Sequence, residues 1–232
     1  MTTTSVPTPT APDLSGRPAR AGLRIIAGVG AAVWALAVHP PVSLEWAGPD
    51  GAPDWIIAMA RWPVYEALID GVDAIGWTDH YLVFGAAIVP AMLLAWWALH
   101  APLRGFGAWG AVLSAMWLLL CPVTLLSYLN HPEDAPLHGL WGAEAFVLIG
   151  AFALALLVGI VGGRTRRVPL LARVLVASTV LFGVGGTMLT GYYPHGTMIG
   201  IGALAALVAW SSTRPVPELS PSGGRTSAQA DR

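Results

Sequence analysis

The chain has 232 residues, of which 55% are hydrophobic and 11% charged, and its net charge is −1. A soluble domain normally carries charge on about a quarter of its residues, so too little is left here to cover a water-facing globule. The single cysteine, Cys121, excludes an intrachain disulfide and thiol chemistry of the CxxC kind.

Residues 1–22 are rich in Thr, Pro and Ala, contain no apolar run and read as a disordered tail. A six-helix membrane domain is expected over 23–212, followed by a second disordered tail over 213–232. The first span runs from about Leu23 to Val38 and stops before Pro40-Pro41. Ala35-Leu36-Ala37 fits a signal-peptidase site, but the long polar leader and the later helices favour an uncleaved anchor. From about 42 to 79 the chain is mixed: seven acids face one arginine, Arg61. Trp55, Ile56, Met59, Trp62, Tyr65, Leu68, Ile69 and Val72 recur there at helical spacing, which predicts an amphipathic helix, or a pair, at the membrane surface.

Four clear spans follow at about 81–99, 109–128, 140–161 and 170–189, and a shorter one at 197–211. Trp34, Trp96, Trp97, Trp109 and Trp210 sit in or at the ends of spans, as interfacial anchors do. The predicted fold is therefore an all-α, polytopic bundle of six transmembrane helices with an amphipathic surface segment between the first two. All twelve basic residues are arginine, a usage that with 27 glycines fits a bacterial chain and its inner membrane. With six spans, Arg17, Arg20, Arg24, Arg104, Arg164, Arg166, Arg167, Arg173, Arg214, Arg225 and Arg232 fall on one side. By the positive-inside rule that side is cytoplasmic, and both termini lie there.

The opposite side collects Asp79-His80, then Asn130, His131, Glu133, Asp134 and His138, then Tyr192, Tyr193 and His195. Three inward-running helices each begin with a histidine, His80, His138 and His195, followed by Gly85, Gly142 and Gly200 for close helix approach. Helix starts there offer free N–H groups to an anion. Glu144 is expected about 9 Å below His138 along one helix and rotated away from it. An ionisable group at that depth is a candidate site residue.

Two segments carry a family resemblance. Ala135-Pro136-Leu137-His138-Gly139-Leu140-Trp141 resembles the P-S-L-H-x-x-W motif of the type 2 phosphatidic acid phosphatase superfamily, in its inositol phosphorylceramide synthase-like branch. Gly186-Thr187-Met188-Leu189-Thr190-Gly191-Tyr192-Tyr193-Pro194-His195 resembles the closing T-x-x-T-G-x-H-Y motif of that branch. The resemblance covers about 45–210 and implies a lipid phosphatase or phosphotransferase, with His138 as general acid. Alignment on Gly191 places Tyr193 at the nucleophile position, alignment on Tyr193-Pro194 places Tyr192, and a small insertion brings in His195. The family's orienting acid is replaced by the stretch Gly196, Thr197 and Met198, and its phosphate-clamping Lys and Arg have no counterpart between Cys121 and Pro136. His131 is then a weak phosphate contact, with His80, Tyr192, Tyr193 and Glu144 as further substrate-binding candidates.

Three functions follow as expectations. The first is a lipid phosphatase-like enzyme at the outer face using His138 and His195. The second is a catalytically inactive relative that binds a lipid or a membrane partner. The third is a metal-dependent enzyme or transporter using His80, His131, His138, His195 and Glu144, whose spacing matches no common metal motif. The expected partner is a membrane lipid or lipid phosphate and not a nucleic acid, and the first two readings call for no metal and no cofactor.

Overall fold

In the computed structural model, residues 17–162 and 168–213 are described; most of both tails, and Arg164, Arg166, Arg167, Arg214, Arg225 and Arg232, lie outside the described residues. The described chain is all-helical: α1 (Arg17–Gly51), α2 (Asp54–Ala60), α3 (Pro63–Ala74), α4 (His80–Ala86), α5 (Val89–Leu103), α6 (Gly107–Leu129), α7 (Ala143–Val161), α8 (Leu170–Ala177), α9 (Thr179–Thr190) and α10 (His195–Ser211). Three apolar helical stretches are long enough to cross a membrane, Ala19–Gly48, His80–Leu129 and His138–Val161, with a fourth if α8 and α9 are one bent span. The α10 helix is apolar but shorter. These are the proportions of a membrane protein.

The stretch from His80 to Leu129 is not one rod. Trp96 Nε1 donates to Ser114 Oγ at 3.1 Å and His100 Nδ1 lies 3.0 Å from the same oxygen. Residues 18 apart on a continuous helix would be separated by about 27 Å, so the chain doubles back. It does so at the 3-10 turn Arg104–Phe106. The α8–α9 pair bends by 48° at Ser178, where the Ser178 and Thr179 hydroxyls donate back to the Leu175 and Val176 carbonyls. Such back-bonding competes with the helical ladder and bends it.

The α10 helix forms the centre, packing against α1, α5, α8 and α9. Its Met198, Ile201, Leu204, Ala205, Val208 and Ala209 are buried. Small residues set its distance from α1: a methyl group added at Gly28 would meet the backbone of Ala206, and one at Gly202 the backbone of Ala32. The outward faces are apolar too, with Phe146 79% and Met188 80% exposed. Small residues between helices and large apolar side chains outside are the arrangement expected where the surrounding solvent is lipid.

Four boundaries differ from the sequence expectation. The first helix begins at Arg17, inside the stretch read as a tail, and continues through Pro40-Pro41 as far as the non-helical Gly48. Two prolines remove two donors from the ladder, yet His39, Val42 and Ser43 are buried around them, and that packing outweighs the loss. His138 starts the apolar stretch as a 3-10 helix, His138–Leu140, and not as an α-helix; α7 begins only at Ala143. Gly142 has φ 80°, a left-handed turn that glycine adopts without strain, and a methyl there would meet nothing. Its role is conformational and not close approach, unlike Gly85, which faces the Tyr128 ring, and Gly200, which faces the Phe182 carbonyl.

Replacing Gly202 by Leu should push α10 off α1 and destabilise the bundle by about 1–3 kcal/mol or more, as overpacking does. Phe146→Leu on the outer face should change little. Thermal unfolding in detergent micelles measures both; equal melting temperatures for the two variants would contradict this packing.

Candidate functional site

One end of the bundle gathers histidines, acids and aromatic rings. The arginines Arg20 and Arg24 lie at the other, around a cavity shared with Ala101, Pro102 and Thr213. At the histidine end, Asp79 caps α4 by accepting from the Leu82 N–H at 2.8 Å. That cap holds His80, whose Nε2 lies 2.8 Å from Asp73 Oδ1 on α3 and whose Nδ1 lies 3.6 Å from Glu45 on α1. His131 Nε2 lies 3.6 Å from Asp79, and its ring packs on Tyr81 at 4.9 Å. These contacts tie three helices and the loop after α6 together.

That loop hangs from the last turns of α6. The buried Asn130 donates to the Leu126 carbonyl at 2.8 Å and accepts from the Leu137 N–H at 3.1 Å. Its own carbonyl lies 3.2 Å from His138 Nδ1. Ser127 Oγ accepts from the Gly142 N–H at 2.8 Å. His138 stacks on Trp141 with ring centres 5.8 Å apart. Because residues 138–142 are turns, Glu144 does not lie one and a half helical turns below His138. It occupies the first turn of α7, buried beside the Ser127 hydroxyl, and its Oε2 has no hydrogen-bond partner.

Deeper in, Tyr192 OH lies 2.8 Å from Tyr128 OH and 3.1 Å from Tyr81 OH. Burial raises the pKa of Tyr192 above the ordinary tyrosine value, and the neighbouring tyrosines Tyr128 and Tyr81 raise it further. Burial also raises that of Tyr193. Below this triad sit two fully buried histidines, His39 of α1 and His195 of α10, with ring centres 6.0 Å apart. His195 Nε2 donates to the Phe84 carbonyl at 3.1 Å, which leaves its Nδ1 bare, and that atom has no partner. The Thr190 carbonyl faces His39 outside hydrogen-bond geometry, and neither His39 nitrogen is bonded.

Three neighbouring cavities share lining residues. An outer mouth of about 460 Å³ is lined by Glu45, Asp79, Glu133, His80, His131 and His138 among others. Through Trp46, Tyr81 and Trp141 it borders an inner cavity of about 430 Å³, which adds Glu144, Thr187, Tyr192 and Tyr193. Through Ala145, Thr187 and Tyr193 that cavity borders an apolar groove of about 420 Å³ between α7 and α9. Among the described residues, no arginine lines any of these three.

The structure thus brings His80, His131 and His138 to the mouth and Glu144, Tyr192 and Tyr193 to the inner cavity. His195 lines neither; Tyr192, Trp46 and Trp141 lie between it and His138, ring against ring. His39, Trp46 and Trp141 were missed in the sequence reading. His39 carried a signal, as a polar ring within an apolar run; the two tryptophans carried none that separated them from interfacial anchors. Among the described residues no three His, Cys, Asp or Glu groups converge as metal ligands would. Comparison of the chain with protein-family models, characterised proteins and solved structures returns no match.

Tyr192→Phe should strip Tyr128 and Tyr81 of a shared partner and cost about 1–3 kcal/mol, read as a lower melting temperature with the fold retained. Stability should also fall as pH rises past about 10, because the unfolded chain then loses phenolic protons that folded Tyr192 and Tyr193 keep. Denaturant titration at pH 8 and pH 11 measures that difference; the expected loss is smaller in Tyr192→Phe.

Proposed function

We propose that the protein is a six-pass plasma-membrane protein that binds the headgroup of a membrane lipid at the outer boundary of the bilayer. The observation that carries the proposal is the adjacency, through shared lining residues, of the polar mouth, the ring-lined cavity and the apolar α7–α9 groove. A ligand that is polar at one end and apolar at the other matches that sequence of surfaces, and a lipid can enter sideways between α7 and α9 without leaving the membrane. The six passes are α1, α4 with α5, α6, α7, α8 with α9, and α10. Arg20, Arg24, Arg104 and Arg173 then face the cytoplasm, and α2 and α3 lie over the outer end, where Trp55 Nε1 donates to the Leu189 carbonyl.

Two features favour binding over the phosphoryl transfer that the family resemblance implies. Transfer needs a nucleophile that meets the phosphate and positive charge where negative charge develops. His195 is fully buried and lines neither the mouth nor the cavity, and the lining holds carboxylates with no arginine.

Topology is tested by labelling single cysteines in a Cys121→Ala background with a membrane-impermeant maleimide. Glu133→Cys should react in intact cells and Thr213→Cys only after permeabilisation; the reverse pattern overturns the orientation. For binding, native mass spectrometry of the purified protein should show a retained lipid that Val184→Phe, which fills the groove, displaces at least tenfold. Phosphate release from phosphatidic acid that vanishes in His138→Ala would overturn the binding reading in favour of an enzyme.

A further inference from the structure

The inner cavity has the composition of a cation site. Trp46, Tyr81, Trp141, Tyr192 and Tyr193 line it together with Glu144. Trp46, half exposed, packs against three of these rings, with ring centres 6.0 Å from Tyr81, 5.7 Å from Trp141 and 6.2 Å from Tyr192. Aromatic rings gathered around one space can offer electron-rich faces to a cation that enters it. Such cages hold ammonium and quaternary ammonium groups, and tryptophan is the strongest of the rings in this role. Glu144 adds a carboxylate that is 6% exposed and has an unbonded buried oxygen.

The surroundings carry the same sign. Glu45, Asp79 and Glu133 line the mouth through which a headgroup would pass, two of them paired with His80 and His131, and among the described residues no arginine lines it. An anion entering here would meet carboxylates at both depths, whereas a cation is drawn inward. Tyr193 stands at the boundary of cavity and groove, with a buried hydroxyl that lacks a partner. Beyond it the groove is lined by Leu148, Ile149, Phe152, Val184 and Met188, which suits a hydrocarbon chain and nothing charged.

We infer that the ligand is an ammonium-bearing amphiphile, with its cationic head in the aromatic cage against Glu144 and its chain in the α7–α9 groove. This rests on the lipid-binding reading and narrows it to one headgroup chemistry. Trp46, Trp141 and Glu144 select the head; Val184 and Met188 accommodate the chain.

The test uses the full chain in nonionic-detergent micelles, titrated with dodecyltrimethylammonium, dodecanol and dodecyl phosphate, which share one chain and differ in charge. The ammonium probe should bind at least tenfold more tightly than the other two. Glu144→Gln, which keeps the shape and removes the charge, should bring it down to the dodecanol value, and Trp141→Leu at the rim should weaken it about tenfold. Equal binding of all three probes, abolished by Val184→Phe, would overturn the cage and leave the amphiphile site standing. Tightest binding of dodecyl phosphate would likewise overturn the cage. Tetramethylammonium binding as tightly as the long-chain probe would overturn the role of the groove. No binding by any probe would overturn both readings.

Discussion

The crossing of α1 and α10 fixes where everything at the histidine end stands. Gly28 lies against the Ala206 backbone and Gly202 against that of Ala32, so the two helices meet at backbone distance along a run of small residues. A crossing this close has one register, because moving either helix by a residue would put a larger side chain into a space that holds none. The same register sets His39 beside His195 and projects Glu45 and Trp46, one to two turns further along α1, over the start of α4 and the α9–α10 turn. The polar cluster is thus a consequence of apolar packing some distance from it.

The chemistry of the cluster follows from which charges can reach it. Arg20 and Arg24 lie at the far end of the bundle, and Arg61, the one arginine expected on the histidine side, lies exposed between α2 and α3. The cavities are built from rings, histidines and carboxylates, and among the described residues no arginine lines them. Phosphate recognition depends on fixed donors such as Arg and Lys, and nothing in these cavities supplies them. The buried His39–His195 pair is set apart from this surface by Tyr192, so it contributes to the core under the site and not to the lining itself.

The helical, membrane-spanning character was legible because it is written in long apolar runs, and hydropathy does not depend on what packs where. Local geometry at single residues was not. Pro40-Pro41 reads as a helix stop on propensity, yet burial of His39, Val42 and Ser43 carries α1 across it. His138 reads as a helix start because an apolar run follows, but Asn130 and Ser127 on α6 hold the intervening residues in turns. That tertiary restraint moved Glu144 from a presumed position beneath His138 to the cavity shared with Trp46 and Tyr192. The cage itself draws on α1, α4, the loop before α7 and the α9–α10 turn, a combination that no spacing along the chain encodes.

The groove depends on a different local feature. α7 packs along α8, where Gly159 meets Ala177 at backbone distance, and has few contacts with α9. The divergence begins at the 48° bend, whose cause is the pair of hydroxyls, Ser178 and Thr179, that donate back into the preceding turn. Just past the bend α9 still meets α7, where Gly183 lies against the Phe152 ring. The groove lies between Leu148, Ile149 and Phe152 of α7 and Val184, Thr187 and Met188 of α9, and at Thr187 it meets the ring-lined cavity. The groove therefore takes its walls from a helix pair that bends at Ser178, while the close α1–α10 crossing sets where Trp46 and Glu45 stand at the head of the site.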